Sequence, residues 1–137
     1  MMQYLLLCRF NEDDWNAIPE SERDEIMEEY HAVLDALERD GAHLATGKLE
    51  PVTAGRTVRH ANGRPVTDGP FLETKEHLGG YHLVEADSMD EATAIAARFP
   101  TLARGGVMEV RRLEPAAMLR SPTGAVPAAR TAQSEGR

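Results

Sequence analysis

Cysteine is almost absent from this chain of 137 residues: Cys8 stands alone, so an intramolecular disulfide is impossible and a thiolate metal cluster is excluded. Its place in the apolar run Leu5-Leu6-Leu7-Cys8 predicts a packing residue rather than a nucleophile. Long hydrophobic runs are missing too. None approaches the roughly 18 residues a membrane-spanning helix needs, and Met2 to Cys8 lacks the basic flank and small-residue cleavage site of a signal peptide, so the expected location is cytoplasmic. Positive charge is scarce: 15 Lys and Arg against 23 Asp and Glu leave a formal net charge of -8. That balance argues against sequence-independent nucleic-acid binding, which rests on basic side chains neutralising phosphates. No glycine-rich phosphate loop follows a strand, and no repeat of solenoid length is present. His60, His77 and His82 lack the i, i+4 spacing of a helical zinc site, so neither a metal nor another cofactor is expected.

What is present fits one domain with a single core. Tyr4 to Cys8 reads as a strand buried on both faces. Asn11 to Ile18 reads as a loop or short helical turn leading to Pro19, with Ser21 as a helix N-cap. Ile26, Tyr30, Val33, Leu34 and Leu37 then fall on one stripe of an amphipathic helix that Gly41 ends. A strand over residues 42–49 stops at Pro51. Short runs flanking Ala61-Asn62-Gly63 predict a two-stranded ribbon, since Asn-Gly favours a tight hairpin. Residues 80–86 alternate as a strand, and Ser88-Met89-Asp90-Glu91 reads as a capping box for a helix running to Phe99. Residues 107–113 make the last strand. From residue 115 the composition turns to Ala, Pro, Ser, Thr, Gly and Arg without periodicity, which predicts a domain over 1–114 and a flexible tail over 115–137.

The order strand, helix, strand, ribbon, strand, helix, strand is an α+β arrangement, the ferredoxin-like split βαβ pattern. Both helices then cover one sheet face. The other face needs cover, which predicts a homodimer of the α/β-barrel type.

The connector from Val66 to Tyr81 is long for a small domain and packs a turn, an apolar plug, four charges and a double glycine between two apolar runs, marking it as a place to look for a site. Within it, Asp68-Gly69-Pro70-Phe71-Leu72-Glu73-Thr74-Lys75-Glu76 resembles the DGPFAETKE signature of the YCII-related family, with Leu72 in place of Ala. The resemblance runs from Tyr4 to about Leu113 and includes Gly79-Gly80-Tyr81 and Val107-Met108-Glu109-Val110-Arg111. It implies the same ferredoxin-like fold with an inserted ribbon and signature loop. The family includes a chloromuconolactone dehalogenase and shares its fold with muconolactone isomerases, which points to a small-molecule binder or a cofactor-free lyase or isomerase acting on a small polar acid. Proteins of this type are also associated with extracytoplasmic-function sigma factors. The resemblance thus equally admits a non-catalytic regulatory or interaction module linked to sigma-factor-dependent transcription, although this chain holds no sigma-factor region.

Candidate site residues follow. Asp68 is either a turn residue or a carboxylate aimed by a rigid turn, and Phe71 would wall such a site from water. Glu73 and Lys75 either make a solvated charged face or bind and orient an anionic substrate, with Arg59 on the ribbon as a further anchor. His31, four residues after Met27 and three before Leu34, sits at the margin of the helix stripe. It resembles the family histidine that pairs with an aspartate as a proposed catalytic dyad. The family aspartate precedes a proline, and here Phe99 precedes Pro100, so either Asp68 supplies the carboxylate as orienter to a His31 base or the dyad is absent. His82 is a candidate for the cleft or the dimer interface, while His43, His60 and His77 are expected to be exposed.

Overall fold

The computed structural model describes residues 1–68 and 76–114. Strand β1 (Met2–Phe10) leads to helix α1 (Glu12–Ala17), helix α2 (Glu20–Arg39) and strand β2 (His43–Lys48). A ribbon of β3 (Thr57–Ala61) and β4 (Arg64–Asp68) follows, then β5 (His77–Ala86), α3 (Met89–Ala96) and β6 (Val107–Arg112). The main sheet has the order β2-β5-β1-β6 with every neighbouring pair antiparallel, which is the ferredoxin-like order, and the ribbon stands apart as a second sheet. No helix among the described residues is long and apolar enough to cross a membrane.

Local chemistry explains most boundaries. Residues 12–17, expected as a loop or a turn, form a helix because the Asn11 side chain accepts the Asp14 amide at 3.0 Å and three acids occupy the first turn, where the helix dipole favours them. Ser21 does not cap α2. It lies inside the first turn, and Pro19 holds the cap position with no side-chain bond, its φ of -56° already suited to helix entry. Gly41 ends the helix region at φ 76°, and Asn62 and Gly63 turn the hairpin at φ 55° and 80°. Ser88 caps α3 through its hydroxyl, which accepts the Glu91 amide at 3.1 Å. The Glu91 carboxylate reaches one residue beyond the expected partner, to the Asp87 amide. Helix α3 stops at Ala96, so Phe99 is not its last residue but the start of a 3-10 turn over Pro100–Arg104.

The helices cover one face of the sheet. Tyr4 and Leu6 of β1, Val84 and Ala86 of β5, Leu37 of α2, and Ala92, Ile95, Ala96 and Phe99 form the core. The predicted stripe of α2 faces it, with Ile26 and Leu37 buried and Tyr30, Val33 and Leu34 packed at its edge. Strand β1 is not buried on both faces. Tyr4 and Leu6 are sealed, whereas Leu5 and Leu7 point to the uncovered face and stay half-buried beside half-buried Leu83, exposed Tyr81 and Val107, and the ion pair Arg9–Glu109 at 3.4 Å. An apolar run with one naked face is what a single copy of this fold shows.

The long connector is shorter than its sequence implied. Val66 to Asp68 belong to β4 and His77 to Tyr81 to β5, leaving only residues 69–76 between strands, of which 69–75 lie outside the described residues. The tail over 115–137 lies outside them as well. Gly79 and Gly80 are interior strand residues rather than an approach to one. A Cβ on Gly79 would come within 1.9 Å of the Phe10 ring, and one on Gly80 within 2.8 Å of the Gly47 carbonyl. The register of β1 against β5 slips between Cys8 and Arg9, beside Gly79, where the Phe10 ring lies over that glycine.

Candidate active site

Three elements meet at His82. The ring lies on the helix-covered face of β5, is 2% exposed, and stacks on Phe99 with centroids 4.8 Å apart and planes at 10°. From α2, Tyr30 brings its hydroxyl within 2.5 Å of His82 Nε2. From β2, Thr46 brings its hydroxyl within 2.8 Å of His82 Nδ1, and the same hydroxyl donates to the Tyr81 carbonyl at 3.2 Å. Cys8 extends the chain on the other side, with Sγ 3.5 Å from Tyr30 Oη and 3.3 Å from Met108 Sδ. Both ring nitrogens of a buried histidine are thereby satisfied, as the cost of burying a polar group demands.

Burial controls the charges. It lowers the pKa of His82 to about 4, assisted by the neighbouring His43 imidazole, whose ring centre is 5.9 Å away. The Tyr30 phenol is pushed up, by burial first and by Cys8 second, and burial likewise raises the Cys8 thiol against a smaller opposing effect of the bond to Tyr30. At neutral pH the chain is a neutral imidazole between two hydroxyls. A proton taken up there makes a buried imidazolium, and the cost of burying that charge is what keeps the ring neutral.

This chain of bonds borders a cavity of about 350 Å³. Tyr30, His31, Met27 and Leu34 of α2 form one wall, Trp15 and Asp14 of α1 another, and Thr46, Gly47, Lys48, Gly79 and Gly80 the sheet side, with the segment from Thr101 to Val107 completing it. Phe10 and Trp15 meet edge to face with centroids 6.4 Å apart, which makes that end aromatic. The missing side chains of Gly79 and Gly47 make room for the Phe10 and Tyr81 rings. Three cations border the space: Arg9, paired with Glu109, Arg104, paired with Glu22, and Lys48, exposed and with no ion-pair partner among the described residues. Among the described residues no cluster of three or more His, Cys, Asp or Glu side chains is arranged to hold a metal.

Residues 2–116 match the YCII-related domain. The chain belongs to that family. A relative in Rhizobium meliloti (strain 1021), itself an uncharacterized protein, is 36% identical over 96 residues, covering 69% of this chain and 77% of that protein. Among solved structures, the YCII-related chain is similar to the 5-chloro-2-hydroxyhydroquinone dehydrochlorinase of Burkholderia phenoliruptrix AC1100 in complex with 2,5-dihydroxybenzoquinone. The TM-score is 0.50 at 17% identity, with 82% of this chain and 94% of that one covered, a likeness of fold.

Within this YCII-related domain, two of the residues singled out from sequence come together: His31 and His82 both border the cavity, His31 exposed at its edge and His82 buried. Arg59 is exposed on β3 of the separate ribbon and does not border it. The backbone of Asp68 ends β4 opposite Thr57, and its side chain lies outside the described structure. Phe71, Glu73 and Lys75 lie outside the described residues. His60 is exposed as expected, but His43 and His77 are not: both are half-buried, and His43 Nε2 and both ring nitrogens of His77 are shielded from solvent without a hydrogen-bond partner among the described residues. Tyr30 and Thr46 were missed. Tyr30 looked like one more apolar position of the helix stripe, though a phenol facing a core needs a partner for its hydroxyl, and that need was the available signal. Thr46 carried no signal of its own.

Proposed function

We propose that this YCII-related protein binds a small polar acid and performs cofactor-free proton transfer on it, in the manner of a lyase or isomerase, with Tyr30 and His82 as the proton-handling pair. The observation that carries this reading is the Tyr30–His82 bond of 2.5 Å bordering a cavity of about 350 Å³. A hydrogen-bonded neutral pair with shifted pKa values beside a concave space is a physical reason to expect acid–base chemistry there. Lys48 supplies a compact positive charge for a carboxylate or an enolate, and the edge-to-face aromatics suit a flat ligand. The dehydrochlorinase of similar fold, by its name, removes hydrogen chloride from a hydroxylated ring, so eliminations and isomerisations on enolic acids are the first class to test. His31 at the cavity edge is a second base, with Asp68 as its orienter if the signature loop brings the carboxylate over; Arg59, Phe71, Glu73 and Lys75 would contribute to binding in the same way.

A concave cavity supports this reading over the alternative of a non-catalytic regulatory or interaction module linked to sigma-factor-dependent transcription. We also propose a homodimer. The half-buried Leu5, Leu7 and Leu83 on the uncovered face favour a second copy as cover, in an interface burying more than ~1,000 Å².

The test is a thermal-shift screen of small carboxylic acids and hydroxylated rings against the wild type, Tyr30→Phe and Lys48→Ala. A compound that stabilises the wild type and loses most of that effect in both variants is the expected result. Equal stabilisation in all three, or none from any compound, would remove the cavity as a ligand site.

A further inference from the structure

The direction in which protons move through the Tyr30–His82 pair is set by the hydroxyl behind it. Thr46 has one hydrogen and two neighbours, the Tyr81 carbonyl at 3.2 Å and His82 Nδ1 at 2.8 Å. A carbonyl only accepts, so that contact takes the Thr46 hydrogen and leaves Thr46 with lone pairs toward the ring. His82 Nδ1 must then carry the imidazole proton. With one N–H on a neutral ring, Nε2 is bare and accepts from the Tyr30 hydroxyl. The opposite tautomer would turn the Thr46 hydrogen to Nδ1 and leave two oxygens at 3.2 Å facing each other with no hydrogen between them. Only the first arrangement satisfies all three contacts.

Tyr30 thus spends its hydrogen on His82 and presents lone pairs to everything else near it. Cys8 occupies one such position, its Sγ 3.5 Å from Tyr30 Oη. Its thiol hydrogen goes to Met108 Sδ at 3.3 Å, so a ligand hydroxyl entering the cavity is the better donor to Tyr30.

We propose that Thr46 is a positioning residue that holds His82 in the Nδ1–H tautomer, so that Tyr30, its hydrogen committed to His82 Nε2, accepts a hydrogen bond from an acidic hydroxyl of the ligand. This rests on the function proposed above and names its substrate class: a phenol or enol. A phenol or enol hydroxyl is a stronger hydrogen-bond donor than an alkyl alcohol, and Tyr30 offers it only lone pairs, which is why the hydroxyl is an acidic one.

The imidazole nitrogen chemical shifts of His82 decide the tautomer without any ligand. The wild type and Thr46→Ser should show a protonated Nδ1 and a bare Nε2, and Thr46→Val should lose that preference. A protonated Nε2 in the wild type, or a spectrum unmoved in Thr46→Val, overturns the assignment; should Thr46→Val fail to fold, the wild-type and serine spectra decide alone. For the ligand class, para-nitrophenol serves as a probe whose colour reports its ionisation. At a pH where the free compound is the neutral phenol, the wild type should bind it, with at least about a tenfold weaker Kd in Thr46→Val and recovery in Thr46→Ser. Absence of binding to the wild type overturns the phenol or enol class while leaving the tautomer to the spectra, so the two failures are distinguishable.

Discussion

Acidification should weaken this fold through one imidazole, and the size of the effect follows from where that ring sits. His82 is 2% exposed, lies flat on Phe99, and has His43 as a neighbour; burial first and the second imidazole next lower its pKa to about 4. In the unfolded chain the same ring titrates near 6.5. Between these values the unfolded state binds a proton that the folded state refuses, so stability falls as pH falls. The group exacts no penalty well above about pH 6.5, and the loss is complete only below about pH 4. A span of about 2.5 pH units at ~1.36 kcal/mol each makes ~3 kcal/mol in full, of which about 2 kcal/mol falls between about pH 7 and pH 5. That interval is the useful one, because ordinary carboxylates stay mostly ionised across it. Two of the groups facing the ring do not interfere: burial pushes the Tyr30 phenol and the Cys8 thiol up, away from the window. His43 is common to both proteins in the comparison, so its own contribution subtracts. Urea unfolding of the wild type and His82→Gln across the interval is the assay, and the wild type should lose about 2 kcal/mol more than the variant, a large share of the ~5–15 kcal/mol typical of a domain. Parallel stability curves for the two proteins would show that His82 is not the buried neutral ring described here.

Three further changes test other parts of the structure. Tyr30→Phe removes the donor to His82 Nε2 and leaves a buried acceptor without its partner, which should cost about 1–3 kcal/mol in denaturant unfolding; no loss would mean the 2.5 Å bond contributes nothing. Gly79→Ala forces the Phe10 ring away from its place over the strand and should cost about 1–3 kcal/mol, with a shift in the fluorescence of Trp15, the single tryptophan, because Phe10 packs edge to face on it; an unchanged spectrum would contradict that packing. Leu7→Lys places a charge on the uncovered sheet face and should halve the mass seen by light scattering while leaving the monomer folded; a wild type already monomeric at micromolar concentration would remove the dimer.

The fold was legible in the chain because its signals are local. The stripe from Ile26 to Leu37, the Asn62-Gly63 turn, the Ser88 cap and the alternation of β5 each depend on residues a few positions apart, and each forms as its spacing requires. The misreadings were also local. Ser21 and Pro19 competed for one cap, and Gly79-Gly80 read as a tight entry into β5 when the constraint was close approach, of the Phe10 ring to Gly79 and of the Gly47 carbonyl to Gly80. Glycine is the residue for which these two causes look identical in sequence, since both ask only that a side chain be missing.

The proton chain was not legible, for a reason that lies in its construction. Cys8, Tyr30, Thr46 and His82 come from four elements and are held by bonds spanning 22 to 52 positions. No periodicity relates them. Each alone has an ordinary explanation: a thiol in an apolar run, a phenol on a helix stripe, a threonine in a strand, a histidine alternating with a tyrosine. What identifies them together is a constraint of burial: a histidine on the covered face of a central strand must have both ring nitrogens satisfied. Register then limits the partners. Thr46 stands opposite His82 in the β2–β5 ladder, and Tyr30 is where the α2 stripe passes over the same point. Given the strand pairing, the groups that satisfy His82 are Thr46 on one side and Tyr30 on the other. The site follows from the sheet register and from the refusal of a buried imidazole to go unpaired, rather than from a motif.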